Sequence, residues 1–533
     1  MQGPAIRIAR KLGLFAVALD GNPSAPCADM ANRFERVDLA DREGVEALAR
    51  SMRGEPGGLA GIMTAGTDFS ATAAWVAERL GLPGLPYEAA LNATDKGRMR
   101  ACFEKAGLPS PPHATISAGD DLDALALPAP FPLVVKPVDN MGGRGCRRAN
   151  DMAELRGAAR DALRHSRSGR AIVEGFMDGP EFSVDAILNR GEITICGLAD
   201  RHVFFPPFFI EMGHTMPTSA PEADREAILE TFRAGIRALG LAGDKSVGAA
   251  KGDIKMTPEG PMIGEIAARL SGGYMSGWTY PYSSGAEPIR AALLLAAGRE
   301  PEGLKATKSW TSAERAFISI PGTVKSITGE DAARGTPGVR KLFLRAVAGA
   351  KAGFPENNVS KCGNAISAAP SRAVAALAAE SAARAVLIRL DPADPETGEF
   401  LESGVGGGGF PPDAFQLSPR LRSLLGELPE TAAPPGARRA ALAPFPEFAE
   451  SGLRDYMGRT AAESLAAALE LTGVSLEEWA EGAQAPGGAA LLGRSFWAAL
   501  ARGSYQGAAY VIDRLGLQRG GKGAGAETSA EFR

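Results

Sequence analysis

A chain of 533 residues is too long for one ordinary core, and at usual domain sizes it reads as roughly three or four units. Its 45% hydrophobic and 23% charged residues are a soluble globular composition, and a net charge of −4 gives no case for nucleic acid or an anionic membrane as partner. Five dispersed cysteines without a C-x-x-C pair exclude a disulfide framework and a structural zinc site and suit a reducing cytoplasm; no apolar run reaches membrane-spanning length and no signal peptide precedes the first unit.

MQGPAIRIARKLGL predicts an amphipathic helix with Ile6, Ala9 and Leu12 inward, and LFAVALD a buried strand ending at Asp20. A helix over 41–52, a strand at GIMTAG (61–66) and a helix over 68–80 continue the alternation, which predicts a doubly wound parallel sheet over 1–93. Such a domain opens on a strand and a glycine turn, whereas this chain opens inside the first helix. Either the start codon lies upstream or the sheet lacks its first strand.

GLPGLP (81–86) is a breaker-rich connector. ATDKGRMRACFEKAG then predicts a helix capped by Thr94 or Asp95 and ended by Gly107, with Lys96 in its first turn. A lysine there opposes the helix dipole, so it is either solvated or shares an anion with the helix N-terminus. FPLVVKPVDNMGGRGC places Lys136 at the end of an apolar strand, before a loop containing Gly142, Gly143, Arg144 and Gly145. Glycines let backbone amides approach phosphate oxygens, although the spacing is not that of a Walker loop. A helix over 151–164 leads to AIVEGFMDGPEFSVDAILN, two strands around an acidic turn flanked by Glu174 and Glu181, carboxylates suited to adenine and ribose donors.

The stretch DRHVFFPPFFIEMGHTMPTSA (200–220) sets Arg201, His202, Glu211 and His214 in aromatic surface, a candidate wall for an acceptor pocket or a plain loop with satisfied histidines. GDIKMTPEGPMIGEIAARLSGG (252–273) predicts an antiparallel hairpin turning at Pro258 and Gly260. Its register brings Asp253 opposite Glu265 on one face, and two unneutralised carboxylates there call for a cation. Mg²⁺ on nucleotide phosphates is the reading preferred. Arg269 falls on the same face, followed by Ser271 and Gly272.

The order of these motifs resembles the ATP-grasp superfamily of carboxylate ligases over roughly residues 1–390, in the manner of amino-acid ligases and biotin carboxylases. The resemblance implies two α+β subdomains closing on ATP, with Mg²⁺ or Mn²⁺. It implies that Lys96 and Lys136 bind phosphates under the loop of Gly142, Gly143, Arg144 and Gly145. Glu174 and Phe176 would then sit at the adenine hinge, Phe176 offering backbone groups, and Glu181 at the ribose. Asp253 and Glu265 would hold the metal, and Arg269 and Lys136 would act on the transferring phosphoryl group. E-x-G-H-x-x-P resembles the substrate segment of amino-acid ligases, which implies Glu211 for an ammonium group and His214 for a carboxylate or a proton, with Arg269, Ser271 and Gly272 completing the pocket. One departure stands out: members usually carry Asn two residues after the second metal acid, and this chain has Ala267, which implies weakened or altered metal binding.

The implied organisation is a Rossmann-like domain over 1–93 and an ATP-grasp domain over 94–300 with a mobile subdomain near 114–175. A lid-like α+β domain over 301–391, a Gly/Pro-rich linker over 392–427, and a helical appendage with a disordered tail over 428–533 follow. In the appendage Trp479 and Trp497 read as core or docking surface. Gly363 fits a close backbone approach or a plain turn. The implied activity is an ADP-forming ligase joining a small carboxylate to an amine, cytoplasmic, with a homodimer as the oligomeric expectation. The alternatives are a purine-pathway or biotin-carboxylase-like enzyme and a non-catalytic nucleotide-binding regulator.

Overall fold

In a computed structural model, the protein is described over residues 2–428, 448, 451–470 and 493–520, with side chains to 514 in the last stretch. It divides into two compact units, Met1–Arg315 with Glu356–Asn358 and Ile366–Leu377, and Ala316–Pro355 with Val359–Ala365 and Ala378–Arg533.

The first unit opens with α1 (Gly3–Lys11), β1 (Val17–Asp20), β2 (Arg33–Arg36) and α2 (Arg42–Arg53). Asp41 caps α2 by accepting from the Gly44 amide at 2.9 Å. β1 and β2 form a two-stranded parallel sheet and every residue of β1 is only half-buried, so the fully buried strand expected there is not found. The face of α1 turned inward is Pro4, Ala5 and Ala9, while Ile6 and Leu12 stay half-exposed. GIMTAG makes no ladder and is not a strand, because its neighbour at Gly61 is the end of a helix, the Ala296 carbonyl, which leaves no room even for a Cβ. Next come α3 (Ser70–Leu80), α4 (Tyr87–Thr94) and α5 (Lys96–Lys105), the last capped by Asp95 on the Arg98 amide at 3.0 Å.

A four-stranded antiparallel sheet follows, from β3 (His113–Ser117), β4 (Leu133–Pro137), β5 (Arg147–Ala149) and β6 (Arg170–Gly175) in the order β3-β6-β4-β5. Helix α6 (Met152–His165) covers it, burying Leu155, Ala158 and Ala162 against Ile116, Leu133 and Val135. A larger antiparallel sheet comes from β7 (Glu181–Asn189), β8 (Glu192–Phe204), β9 (Ile210–Met216), β10 (Val247–Thr257), β11 (Gly260–Ala267) and β12 (Thr311–Phe317), in the order β11-β10-β7-β8-β9-β12. Helix α7 (Glu222–Ala238) lays Phe232 and Ile236 on its back with Ile254, Ile263 and Ile266, joined by Met99 and Phe103 of α5. Apolar residues thus fill one face of β7, β10 and β11, and polar ones are left for the other. Helices α8 (Tyr280–Ser283) and α9 (Pro288–Ala296) close this unit.

Next in the chain, β13 (Gly322–Thr328), α10 (Glu330–Gly335), β14 (Val339–Leu344), β15 (Lys351–Ala352), β16 (Gly363–Ala369), α11 (Arg372–Ala385) and β17 (Leu387–Leu390) follow the expected alternation, all in the second unit save Ile366–Leu377. Gly363 is a close approach, since a Cβ there would stand 2.1 Å from the Phe317 ring. The stretch 392–427, expected to be a linker, instead folds into α12 (Pro395–Glu402) and α13 (Pro419–Glu427). Its breakers punctuate around buried Phe400, Leu401, Phe415 and Leu417. Helices α14 (Ala461–Glu470) and α15 (Arg494–Gly520) complete the unit. Helix α15 bends at Ser504, where φ is 54°. Trp497 is core, whereas Trp479, the expected helix around it and the C-terminal tail lie outside the described residues.

Candidate active site

The hairpin β10–β11 has the register that the sequence implied, with Asp253 directly opposite Glu265. The Asp253 carboxylate accepts from Ser183 Oγ at 2.7 Å, takes the Lys251 ammonium, and lies 3.4 Å from Arg201 Nη1. Burial alone would raise Asp253; Arg201 and Lys251 overcome it and hold the carboxyl down at about 2. Glu265 lies 3.5 Å from Lys96 Nζ and is about a third exposed. Burial opposes its charge as well, and Lys96 and Lys251 together keep its pKa below the ordinary value. Lys96, almost fully buried, donates to the Asn140 carbonyl at 2.9 Å. Desolvation works against its charge, yet Glu265 and Asp68 raise its pKa above that of a free lysine. Two carboxylates side by side with a hydroxyl are hard oxygen donors, a set that fits Mg²⁺ or Mn²⁺, and Glu265 is the more open of the two.

Glu174 of β6 is fully buried with each oxygen spoken for: Arg100 Nε at 2.7 Å on one and Lys136 Nζ at 2.6 Å on the other. Its pKa falls to about 2 because the two cations outweigh the desolvation. Glu174 therefore serves as the anchor of Lys136. The Phe176 amide donates to the Pro132 carbonyl at 3.2 Å, so the backbone group it has to offer a ligand is its carbonyl. Arg148 lies over the Phe176 ring at 4.7 Å and Lys255 at 5.2 Å. Gly142, Gly143 and Gly145 all have φ near +70°, a conformation that disfavours side chains, and Arg144 Nε donates back to the Met141 carbonyl at 3.2 Å.

A row of charged and polar side chains crosses the large sheet. In register, Lys255 of β10 faces Glu181 of β7, Glu181 faces Arg201 of β8, Arg201 faces His214 of β9, and His214 faces Glu314 of β12. Arg201 pairs with Glu181 and donates to Glu211 at 3.0 Å, while His214 Nδ1 is 2.9 Å from Glu314 and its Nε2 is 3.7 Å from Glu211. Glu211, His214 and Glu314 bring their ligand atoms within 4.8 Å of one another. His202 stays neutral beside Thr215, since burial and Arg315 push it down to about 4.

Two family models match the chain: an ATP-grasp domain over residues 129–276 and an L-amino acid ligase C-terminal domain 2 over 316–391. Residues 129–276 are an ATP-grasp domain. An uncharacterized protein, y4rH, of Sinorhizobium fredii is 27% identical over 349 residues, 64% of this chain and 71% of that protein. A D-alanine–D-alanine ligase of Stutzerimonas stutzeri is 35% identical over 127 residues, 23% of this chain and only 40% of that enzyme. A solved L-amino acid ligase from Bacillus licheniformis shares the fold, with a TM-score of 0.62 at 23% identity over 73% of this chain and 95% of that one.

Within the ATP-grasp domain, Arg269 is buried and donates to the Leu270 carbonyl at 2.9 Å. Ser271 donates to Asp185 from its hydroxyl at 2.7 Å and its amide at 3.2 Å, which ties down the loop running on to Gly272. Sequence reasoning misses Asp185, Arg100, Lys251, Glu314 and Asp68. Asp185 could have been found by parity, since it shares a strand face with Glu181 and Ser183. Arg100 lies one helical turn beyond Lys96, and its guanidinium also donates to the Ile263 and Gly264 carbonyls at 2.8 Å each. Glu314 and Asp68 are brought in from distant segments, and no local pattern points to them. Asp68 has one buried oxygen without a hydrogen-bond partner, and burial raises its pKa. Among the described residues no helix is long and apolar enough to cross a membrane.

Proposed function

We propose that the protein is an ADP-forming ligase that activates the carboxylate of a small, amino-acid-like substrate as an acyl phosphate and passes the acyl group to an amine. The observation that carries this reading is the meeting of Lys96 with Glu265, 3.5 Å apart, on the sheet face where Asp253 stands in register. Ammonium and carboxylate groups so placed suit a polyphosphate whose charge must be neutralised. A carboxylate oxygen of the substrate attacks the γ-phosphorus of ATP, the bond to the β-phosphate oxygen breaks, and ADP leaves with the electron pair. Amine attack on the acyl carbon then expels phosphate. Lys96 and Lys136 hold phosphate oxygens, Glu174 and Arg100 fix Lys136 in place, and Arg269 steadies the transferring group. Glu265, with Asp253 across from it, would hold Mg²⁺ or Mn²⁺, which supplies charge neutralisation when bound. Glu211 receives the incoming amine and His214, oriented by Glu314, takes its proton. The loop of Gly142, Gly143, Arg144 and Gly145 excludes water from the acyl phosphate. Glu181 meets the ribose and the Phe176 carbonyl the adenine. All five cysteines are free thiols, in keeping with a reducing compartment, and we place the reaction in the cytoplasm.

The test is phosphate release from ATP with a panel of amino acids singly and in pairs. Release provoked by one carboxylate and coupled to an amide product supports the ligase. Nucleotide binding without release on any member of the panel would favour a regulatory role. Asp253→Ala or Glu265→Ala should each lower turnover by about 100-fold or more, and full activity in both would remove them from the centre.

A further inference from the structure

The site face of β10–β11 is a two-by-two array, with Asp253 opposite Glu265 and, two residues along each strand, Lys251 opposite Ala267. Side chains two apart share a face, so the four form one patch. In it, Asp253 already has a partner on each oxygen. Ser183 occupies one oxygen at 2.7 Å, Lys251 takes the other, and Arg201 stands 3.4 Å from that second oxygen. Each oxygen thus has a hydrogen-bond donor, and a guanidinium adds its charge beside the second. Glu265 is more open, and the Lys96 ammonium beside it is 3.5 Å away. At 267 a methyl group supplies no ligand atom, and an ammonium faces it.

We propose that Lys251 stands in for a divalent cation on the Asp253 side of the patch, so that the site takes a single divalent cation of the Mg²⁺ class, on Glu265, and carries its second positive charge in the chain. This rests on the phosphate-handling reading of the site. An ammonium is a compact point charge with three donors, able to neutralise a carboxylate and a phosphate oxygen together without being recruited from solution. It also repels a metal ion at Asp253, and the methyl group of Ala267 across from it supplies no oxygen donor that would offset the repulsion.

Mn²⁺ binding to the nucleotide-free full-length protein, read from the electron paramagnetic resonance of the free ion, tests this. The unsubstituted protein should bind at most one Mn²⁺ per chain. Lys251→Met should bind Mn²⁺ ~10-fold tighter or gain a second ion, Lys251→Arg should behave as the parent, and Ala267→Asn added to Lys251→Met should tighten binding further. Two ions on the unsubstituted protein, or an affinity and count unchanged in Lys251→Met, would overturn the proposal. Circular dichroism checks folding, and Lys251→Gln gives the same reading if Lys251→Met does not fold. Failure of every carboxylate to provoke phosphate release would sink the ligase reading and leave the Mn²⁺ comparison intact. Unchanged Mn²⁺ binding alongside phosphate release would sink only the role of Lys251.

Discussion

Burying an ion pair as deeply as Arg100 and Glu174 leaves neither partner dispensable. Arg100→Ala would strand a fully desolvated carboxylate with only Lys136, and would orphan two carbonyls of β11. The expected loss is about 3 to 5 kcal/mol of stability, read from urea unfolding, whereas a loss under ~1 kcal/mol would show that water reaches Glu174. Asp185 offers a pH-dependent counterpart. Burial raises it from 3.8 to about 6 against the Ser271 hydrogen bonds, Lys251 and Arg269, and one of its oxygens has no hydrogen-bond partner. The folded state therefore holds a proton that the unfolded chain releases near 3.8. The stability so contributed is complete below pH 3.8 and disappears as pH rises through about 6. A rise of that size is worth about 3 kcal/mol. Asp185→Asn keeps an acceptor for Ser271, and should flatten the stability profile between about pH 4 and 6 while raising the melting temperature near pH 7; an unchanged profile would place the titration elsewhere.

At the level of elements, the turn between β6 and β7 carries a tight constraint next to the site. Gly179 has φ +123°, and a Cβ there would stand 2.0 Å from the Met256 carbonyl oxygen. Gly179→Ala should cost about 3 kcal/mol or more, seen as a lowered thermal midpoint, and should weaken nucleotide binding by shifting Phe176 and Glu181 on either side. Much of this element-level order is legible in the sequence. Pro258 and Gly260 announce the hairpin that sets Asp253 against Glu265, and Asp95, Asp151 and Asp41 announce helix starts. What escapes are roles assembled at long range: Glu314 reaches His214 from 100 residues away, and Glu174 becomes an anchor only when Arg100 arrives from 74 residues upstream. The linker expectation fails for a different reason. Glycine and proline dominate the local pattern over 392–427, while Phe400, Leu401, Phe415 and Leu417 are spaced too irregularly to show a period.

Over the whole molecule, the second unit does not end where a detachable tail would begin. Helix α15 shares a core with β13 and β17, Ala499 and Tyr510 packing with Ile320, Val324, Ile388 and Leu390. Gln506 accepts from the Ile320 amide at 3.1 Å, the Tyr505 hydroxyl accepts from the Ile388 amide at 2.9 Å, and Arg389 clasps Asp513 at 2.6 Å. Truncation before Arg494 should therefore unfold this unit, detected as rapid proteolysis within 316–428; a protease-resistant fragment of that span would mean that it folds alone. Legibility is poorest here, because the periodicity of α15 announces a helix and not its partner.

The band of charged and polar side chains from Lys255 to Glu314 has a consequence for assembly. Slipping β7 by a single position would turn Glu181 toward the apolar layer under α7 and leave Lys255 and Arg201 facing the uncharged Pro180 or Phe182. Those two links thus work as teeth in a ratchet, and a sheet whose strands are stitched from distant parts of the chain closes in one alignment and rejects the rest.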